Sequence, residues 1–199
     1  MPHETTEPRI PVLGIPTPVT IEALLASPRH RYAGRPGDGA LPPTELGLAP
    51  GESESRTSVT VRGGLGIVGD RYFGKPAHRA ASVTLFDLDA LDESARELGL
   101  DALDPLATRR NVLLRGVAVD QLRGAVFTLD SGSGPVAFRA GRPANPCAWM
   151  DHELAPGAFA ALRGRGGMRC EPLADGVLHI GAATFVLLSS PVPPARRQR

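Results

Sequence analysis

Cysteine and lysine are the scarce residues of this 199-residue chain: it has two cysteines and, among 22 basic residues, a single lysine, Lys75. Two cysteines cannot build a disulfide framework; a bridge between Cys147 and Cys170 is the one pairing they allow. No apolar run reaches the length of a membrane span. Met1-Pro2-His3-Glu4 does not open a basic-then-apolar secretory pattern, so a soluble, cytoplasmic protein is expected. There is no internal repeat. A net charge of +1 argues against a nucleic-acid partner, so any basic site must be a local cluster. What is abundant is arginine. Codon usage suffices to explain it, but arginine is also well suited to gripping phosphate or another oxyanion. With 42% apolar and 22% charged residues, the chain is globular and long enough to bury one core.

The pattern of the chain is mainly β. Residues 1–16 are polar and Pro-containing and read as a loose arm, 17–189 as the domain, and 190–199 as an Arg/Pro-rich disordered tail. Strands are expected at Val19–Leu25, Thr57–Arg62, Ser82–Phe86, Asn111–Leu114, Ala125–Leu129, Pro135–Ala140, Val177–Ile180 and Thr184–Leu188. Gly132-Ser133-Gly134 is a hairpin loop between two of them. Leu88, Leu91, Ala95 and Leu98 repeat at helical spacing, with Asp87 as N-cap and Gly99 as the stop. Ala158 to Leu162 supports a short helix ended by Gly164. Residues 36–54 are dense in Gly and Pro and form a long loop. Many short strands with two modest helices predict an antiparallel β-barrel carrying helical excursions.

Cys147 is the candidate functional residue. It follows the stiff Arg142-Pro143-Ala144-Asn145-Pro146 loop and precedes an expected helix, whose N-terminal N–H groups would favour a thiolate. A thiolate is a nucleophile, a soft-metal ligand and a persulfide carrier. Against this stands the common fate of a free cysteine, which is burial as a small hydrophobe. Asp151 and His152 lie close in sequence, but a carboxylate beside the thiol opposes thiolate formation. Scattered histidines and one cysteine give no zinc-ligand spacing.

Several segments together resemble the MOSC family, named for the C-terminal domain of molybdenum cofactor sulfurases. They are Gly64-Leu65-Gly66-Ile67-Val68-Gly69-Asp70-Arg71, Val83-Thr84-Leu85, Arg109-Arg110-Asn111 with Gly116, Leu122-Arg123-Gly124 before Phe127, Pro146-Cys147, Arg163-Gly164-Arg165-Gly166-Gly167, and Asp175-Gly176 before Gly181. Their order and spacing, over about Val19 to Leu188, carry the resemblance. It implies a MOSC-type β-barrel like that of pyruvate kinase, with a few short α-helices. It also implies a cysteine that carries sulfur as a persulfide or ligates molybdenum in a pterin cofactor (molybdopterin). Family members include sulfurase C-terminal domains and N-oxygen reductases of the amidoxime-reducing type. This chain shows no aminotransferase-like domain, no reductase-type N-terminal β-domain and no ferredoxin module. Pyridoxal phosphate is therefore not expected, and Lys75 is a poor Schiff-base residue on the family pattern.

Around Cys147, catalytic and a metal ligand in this reading, the expected cofactor-binding residues are Arg71, Lys75, His78, Arg79, Arg109, Arg110, Asn111, Arg142, Asn145, Arg163 and Arg165. Arg71 follows a glycine turn able to cradle anions. If a strand has begun by Arg109, Arg109 and Arg110 point to opposite faces, and Asn111 offers its amide to a pterin-like edge. The Arg163–Gly167 turn is expected beside the cysteine loop, its arginines holding an anion. Cys170 reads as structural. Partners would be the pterin or a small sulfur acceptor, and a redox or sulfur-donor protein. Two further functions fit the residues: molybdenum-independent sulfur transfer to a biosynthetic acceptor, and a non-catalytic cofactor- or partner-binding module.

Overall fold

The computed structural model describes residues 11–192. Its strands are β1 (Thr17–Leu25), β2 (Ser55–Arg56), β3 (Ser58–Arg62), β4 (Gly66–Ile67), β5 (Val83–Asp87), β6 (Val112–Arg115), β7 (Val126–Asp130), β8 (Val136–Pro143), β9 (Met168–Pro172), β10 (Gly176–His179) and β11 (Gly181–Leu187). Three α-helices join them: α1 (Leu88–Glu97), α2 (Trp149–Glu153) and α3 (Ala158–Ala161). The order β11-β7-β8-β9-β5-β6-β1 closes on itself through β1–β11 pairing, so seven strands form a β-barrel with β2 appended. Closure removes the open edges an antiparallel sheet would otherwise expose.

Alternation along each strand fills the barrel. Ile21, Leu85, Leu114, Phe127, Phe138, Met168, Cys170 and Phe185 point inward and are at most 1% exposed. Phe127 stacks on Phe185, with ring centroids 4.8 Å apart. Each such ring stabilises the fold by about 1.5–3 kcal/mol through burial. Val59, Val61, Ile67 and Leu178, from the small β10-β3-β4 sheet, join the same core.

The strand pair β5–β6 runs parallel, and α1 makes the crossover between them. Asp87 caps α1 by accepting the Asp89 N–H at 2.9 Å, and Gly99 takes φ 71° just past its end. This helix covers the outer face of the pair. Phe86 and Leu113 face away from the barrel and pack with Leu88, Leu91, Trp149, Met150 and Leu162 as a second core. The barrel wall is therefore apolar on both faces there, and the functional loops hang from its edge.

β10 and β11 are joined at Gly181, whose φ of 115° turns the chain from the small sheet into the barrel. Residues 11–16 run beside β11, where Leu13 bridges Leu187; residues 1–10, the rest of the expected arm, lie outside the described residues. In the expected tail, Val192 donates its N–H to Arg123, and residues 193–199 lie outside the described residues.

Candidate functional site

Cys147 is exposed, and its loop is held from three directions. At the end of β8, Ala144 donates its N–H to the Gly167 carbonyl at 2.7 Å. A Cβ on Gly166 would collide with the Ala144 carbonyl oxygen, and one on Gly167 with that of Leu85, so only glycine lets this turn close on the cysteine loop. Arg110 then ties the pieces together. Its Nε donates to the Gly166 carbonyl at 2.9 Å, Nη1 to Thr108 at 3.0 Å, and Nη2 to Ala144 at 2.7 Å. Burial, then Arg169 and Arg71 nearby, lower the Arg110 pKa to about 10, while the Cys147 sulfur opposes that fall. The charges that act on Arg110 thus include those of Arg169, Arg71 and Cys147.

Arg71 follows the glycine turn after β4. Asp70 fixes that turn: its carboxylate accepts from Ser27 N–H at 3.4 Å, Tyr72 N–H at 3.0 Å and the Asn111 amide at 3.1 Å. The Arg71 N–H in turn donates to Ser27 at 2.8 Å. Arg71 lies over the Tyr72 ring, 4.5 Å from its centroid, and its Nε is buried with no hydrogen-bond partner. Burial alone would raise the Tyr72 phenol, yet Arg71 and Arg169 carry it below its ordinary value. Arg169 comes from β9, opposite Arg142 of β8 in register. The His30 imidazole is driven down to about 4, first by desolvation and then by Arg71, Arg109, Arg110 and Arg169.

The distribution of counter-charges separates the arginines. Arg31, Arg56, Arg62, Arg79, Arg109, Arg115, Arg139 and Arg165 all have carboxylate partners. Among the described residues, Arg29, Arg35, Arg71, Arg96, Arg110, Arg123, Arg142, Arg163 and Arg169 have none. Like charges placed together without acids repel, and an anion would relieve that repulsion. A cleft of about 380 Å³ is lined by Asn145, Pro146, Phe159, Arg163 and Gly164; Cys147 follows in the chain but does not line it. Arg163 lies 4.9 Å above the Phe159 ring.

Several expected site residues do other work. β6 begins only at Val112, so the strand alternation assumed for the preceding three residues does not apply. Arg109 adopts φ 61° after the 3-10 turn Pro105–Thr108 and is buried in a bidentate pair with Glu54. That pair borders a separate cavity of about 340 Å³ that Cys147 does not line. Asn111 has no amide to spare: it donates to Leu25 and Asp70 and accepts from the Thr84 N–H and hydroxyl. Arg110 spends its donors on carbonyls. Arg165 reaches Glu97 on α1 at 2.8 Å, and Arg79 reaches Glu171 at 3.2 Å. Lys75 is exposed at the start of the 3-10 turn Pro76–Ala81. His78 stands 4.5 Å from the Tyr72 ring, with Nδ1 buried and unpartnered. Asp151 does not act on the thiol; it accepts the Phe159 N–H at 2.7 Å. Helix α2 spans only five residues, so its terminal field is small.

Sequence reasoning passed over Arg169 and His30. Arg169 sits one residue from the buried Cys170 on an alternating strand, which places it on the outer face, between β8 and β5.

No protein-family model matches this chain, and no curated protein matches it in sequence. Solved structures do resemble it. The YuaD protein from Bacillus subtilis aligns with a TM-score of 0.64 at 16% identity, over 87% of this chain and 97% of that one. YiiM from Escherichia coli aligns with a TM-score of 0.53 at 15% identity, over 88% of this chain and 70% of that one. A protein titled only as hypothetical gives 0.55 at 15% identity, over 88% and 69%. At these identities the likeness is one of fold: a mainly β barrel with few short helices. No helix among the described residues is long and apolar enough to cross a membrane, and no cluster of three or more His, Cys, Asp or Glu residues able to hold a metal occurs among them.

Proposed function

We propose that the chain is a stand-alone MOSC-type protein that handles sulfur or molybdenum cofactor through Cys147, as a persulfide carrier or a molybdenum ligand. The barrel likeness to YuaD and YiiM, both MOSC-domain proteins, supports the family reading. One observation carries the site: an exposed thiol on a loop that Arg110 holds and that Arg142 and Arg163 flank, none of the three having an acid partner among the described residues. A phosphate-bearing pterin fits this donor set. Arg71, with its unpartnered buried Nε, and the opposed Arg142 and Arg169 would hold the phosphate. Asn145 and Arg163 would border the pterin in the adjoining cleft. Cys147 would present one soft sulfur to the metal. The bound cofactor would supply two-electron or oxygen-atom chemistry, including N-oxygen reduction given an external electron donor. The residues themselves bind, orient and neutralise charge.

The test is to express the protein in cells that make the cofactor and measure bound molybdenum and pterin, alongside Cys147→Ser and Arg169→Gln. Retention of pterin but loss of metal in Cys147→Ser is expected. Equal metal in wild type and Cys147→Ser would remove the ligand role.

A further inference from the structure

The cavity bordered by the Arg109–Glu54 pair plays no part in the function proposed for Cys147. Its volume of about 340 Å³ is at the lower end of the range of small-molecule sites. Leu25, Leu48 and Leu106 form part of its wall, and charged side chains converge on it from separate segments of the chain. The turn Pro105–Thr108 sets two of them apart. Asp104 caps its start by accepting the Leu106 N–H at 2.9 Å, and Arg109 follows its end with φ 61°. At about 2 Å of rise per residue, the backbones of these two stand up to about 10 Å apart. Both line the cavity, an acid at one end of the turn and a cation at the other.

The lining leaves charge of both signs without a full partner. Arg109 and Arg31 share one carboxylate, Glu54, which Arg109 holds through both Nη atoms and Arg31 approaches at 3.6 Å. Two guanidiniums around one carboxylate leave one positive charge over. Arg109 is only 6% exposed, and its Nε is buried with no hydrogen-bond partner. An unmade bond from a buried guanidinium is unfavourable, so an acceptor brought to this wall is bound strongly. Among the acids the balance is reversed. Asp104 has no cationic partner among the described residues, and Glu153 of α2 has only His152 beside it, at 3.0 Å. Tyr32, also in the lining, feels both sets: burial and then Glu153 hold its phenol above its ordinary value, against the pull of Arg109 and Arg31.

We propose that this cavity binds a small aliphatic zwitterion, with an ammonium and a carboxylate at opposite ends of a short apolar chain. The ammonium meets Asp104 and Glu153, the carboxylate meets Arg31 and Arg109, and the chain lies on Leu25, Leu48 and Leu106. A molecule of one charge satisfies only half of this lining. A plain amine leaves the arginines uncompensated, and a plain carboxylate is repelled by Asp104 and Glu153. The site stands whether Cys147 holds a metal, carries sulfur or does neither.

The experiment titrates the purified full chain with ε-aminohexanoate, hexylamine and hexanoate, which share one chain length. Calorimetry gives the affinities. Trp149, the only tryptophan, reports the place by fluorescence, because it stacks on Tyr32 of the cavity wall at 4.8 Å. The zwitterion should bind about tenfold or more tightly than either single-charge probe. Asp104→Asn keeps an oxygen for the Leu106 N–H, and Arg31 is partly exposed and leaves the Arg109–Glu54 pair intact, so Asp104→Asn and Arg31→Gln both keep the fold. Each should weaken ε-aminohexanoate about fivefold or more. Asp104→Asn should not weaken hexanoate, and Arg31→Gln should not weaken hexylamine. Hexylamine or hexanoate binding as tightly as ε-aminohexanoate, or either variant weakening all three probes alike, would overturn the zwitterion assignment. No binding of any probe would overturn the site.

Discussion

Truncating Arg110 to alanine removes three charge-assisted hydrogen bonds at once, to the carbonyls of Gly166, Thr108 and Ala144. Such bonds contribute about 1.5–3 kcal/mol each, so at the lower end about 5 kcal/mol is at stake. Against this stands the strain of burying a cation near Arg169 and Arg71, which lowers its pKa from 12.5 to about 10. That difference corresponds to about 3 kcal/mol. The expected net loss is about 2 kcal/mol, or about 4–8 °C in melting temperature for a chain of this size. Urea unfolding should show a lower midpoint at unchanged slope. Amide exchange of Ala144, which is bonded to Gly167, should accelerate, because the clamp on its loop is gone. Arg110→Lys should recover little of the loss, since one ammonium cannot serve three divergent carbonyls. Unchanged stability, within about 0.5 kcal/mol, together with unchanged Ala144 protection would refute the idea that this guanidinium holds the cysteine loop.

Three other outcomes are expected. Gly166→Ala drives a methyl into the Ala144 carbonyl, and should cost about 1–3 kcal/mol and change the rate of Cys147 alkylation; wild-type alkylation kinetics in a destabilised variant would separate the turn from the site. A thiol reagent should titrate one cysteine in the native protein and the second only after unfolding, because Cys147 is exposed and Cys170 buried; two fast native thiols would contradict the barrel assignment. Burial drives the Asp87 carboxyl up to about 7 and that of Asp120 to about 6, so both bind protons more tightly in the folded state. Their contribution to stability should therefore be fullest below about pH 4 and fall as pH rises through about 7. Asp87→Asn keeps an oxygen for the Asp89 N–H and should remove up to about 4 kcal/mol of that fall; an unchanged pH slope, by calorimetry, would refute it.

Much of the scaffold is legible locally. Helix α1 announces itself by apolar spacing, an Asp87 cap and a Gly99 stop, all of which act within a few residues. Strands such as β5 and β7 follow from β-branched and alternating residues. Pairing is not legible in this way. Nothing local says that Val177–His179 joins β3 while the residues after Gly181 close the barrel, because the choice depends on partners more than a hundred residues away. The arginines show the same divide. Arg109 and Arg110 are adjacent and chemically equal, yet Arg109 finds Glu54 and Arg110 finds three carbonyls. Left-handed backbone at Arg109 sends the two side chains apart, and no spacing rule anticipates it.

The sequence by itself determined that one thiol stands in a rigid Pro-flanked loop, that the chain is mainly β, and that arginine supplies its positive charge. These follow from residue identity, since proline restricts its own loop and side-chain alternation is a property of the strand. Only the tertiary structure decided which arginines keep their charge uncompensated. That depends on where each carboxylate lands: Glu54, Glu171, Glu93 and Glu97 neutralise some arginines, while Arg71 and the opposed Arg142 and Arg169 are left without one. A thiol's neighbourhood is set by long-range packing, and its chemistry by what that packing leaves unpaired.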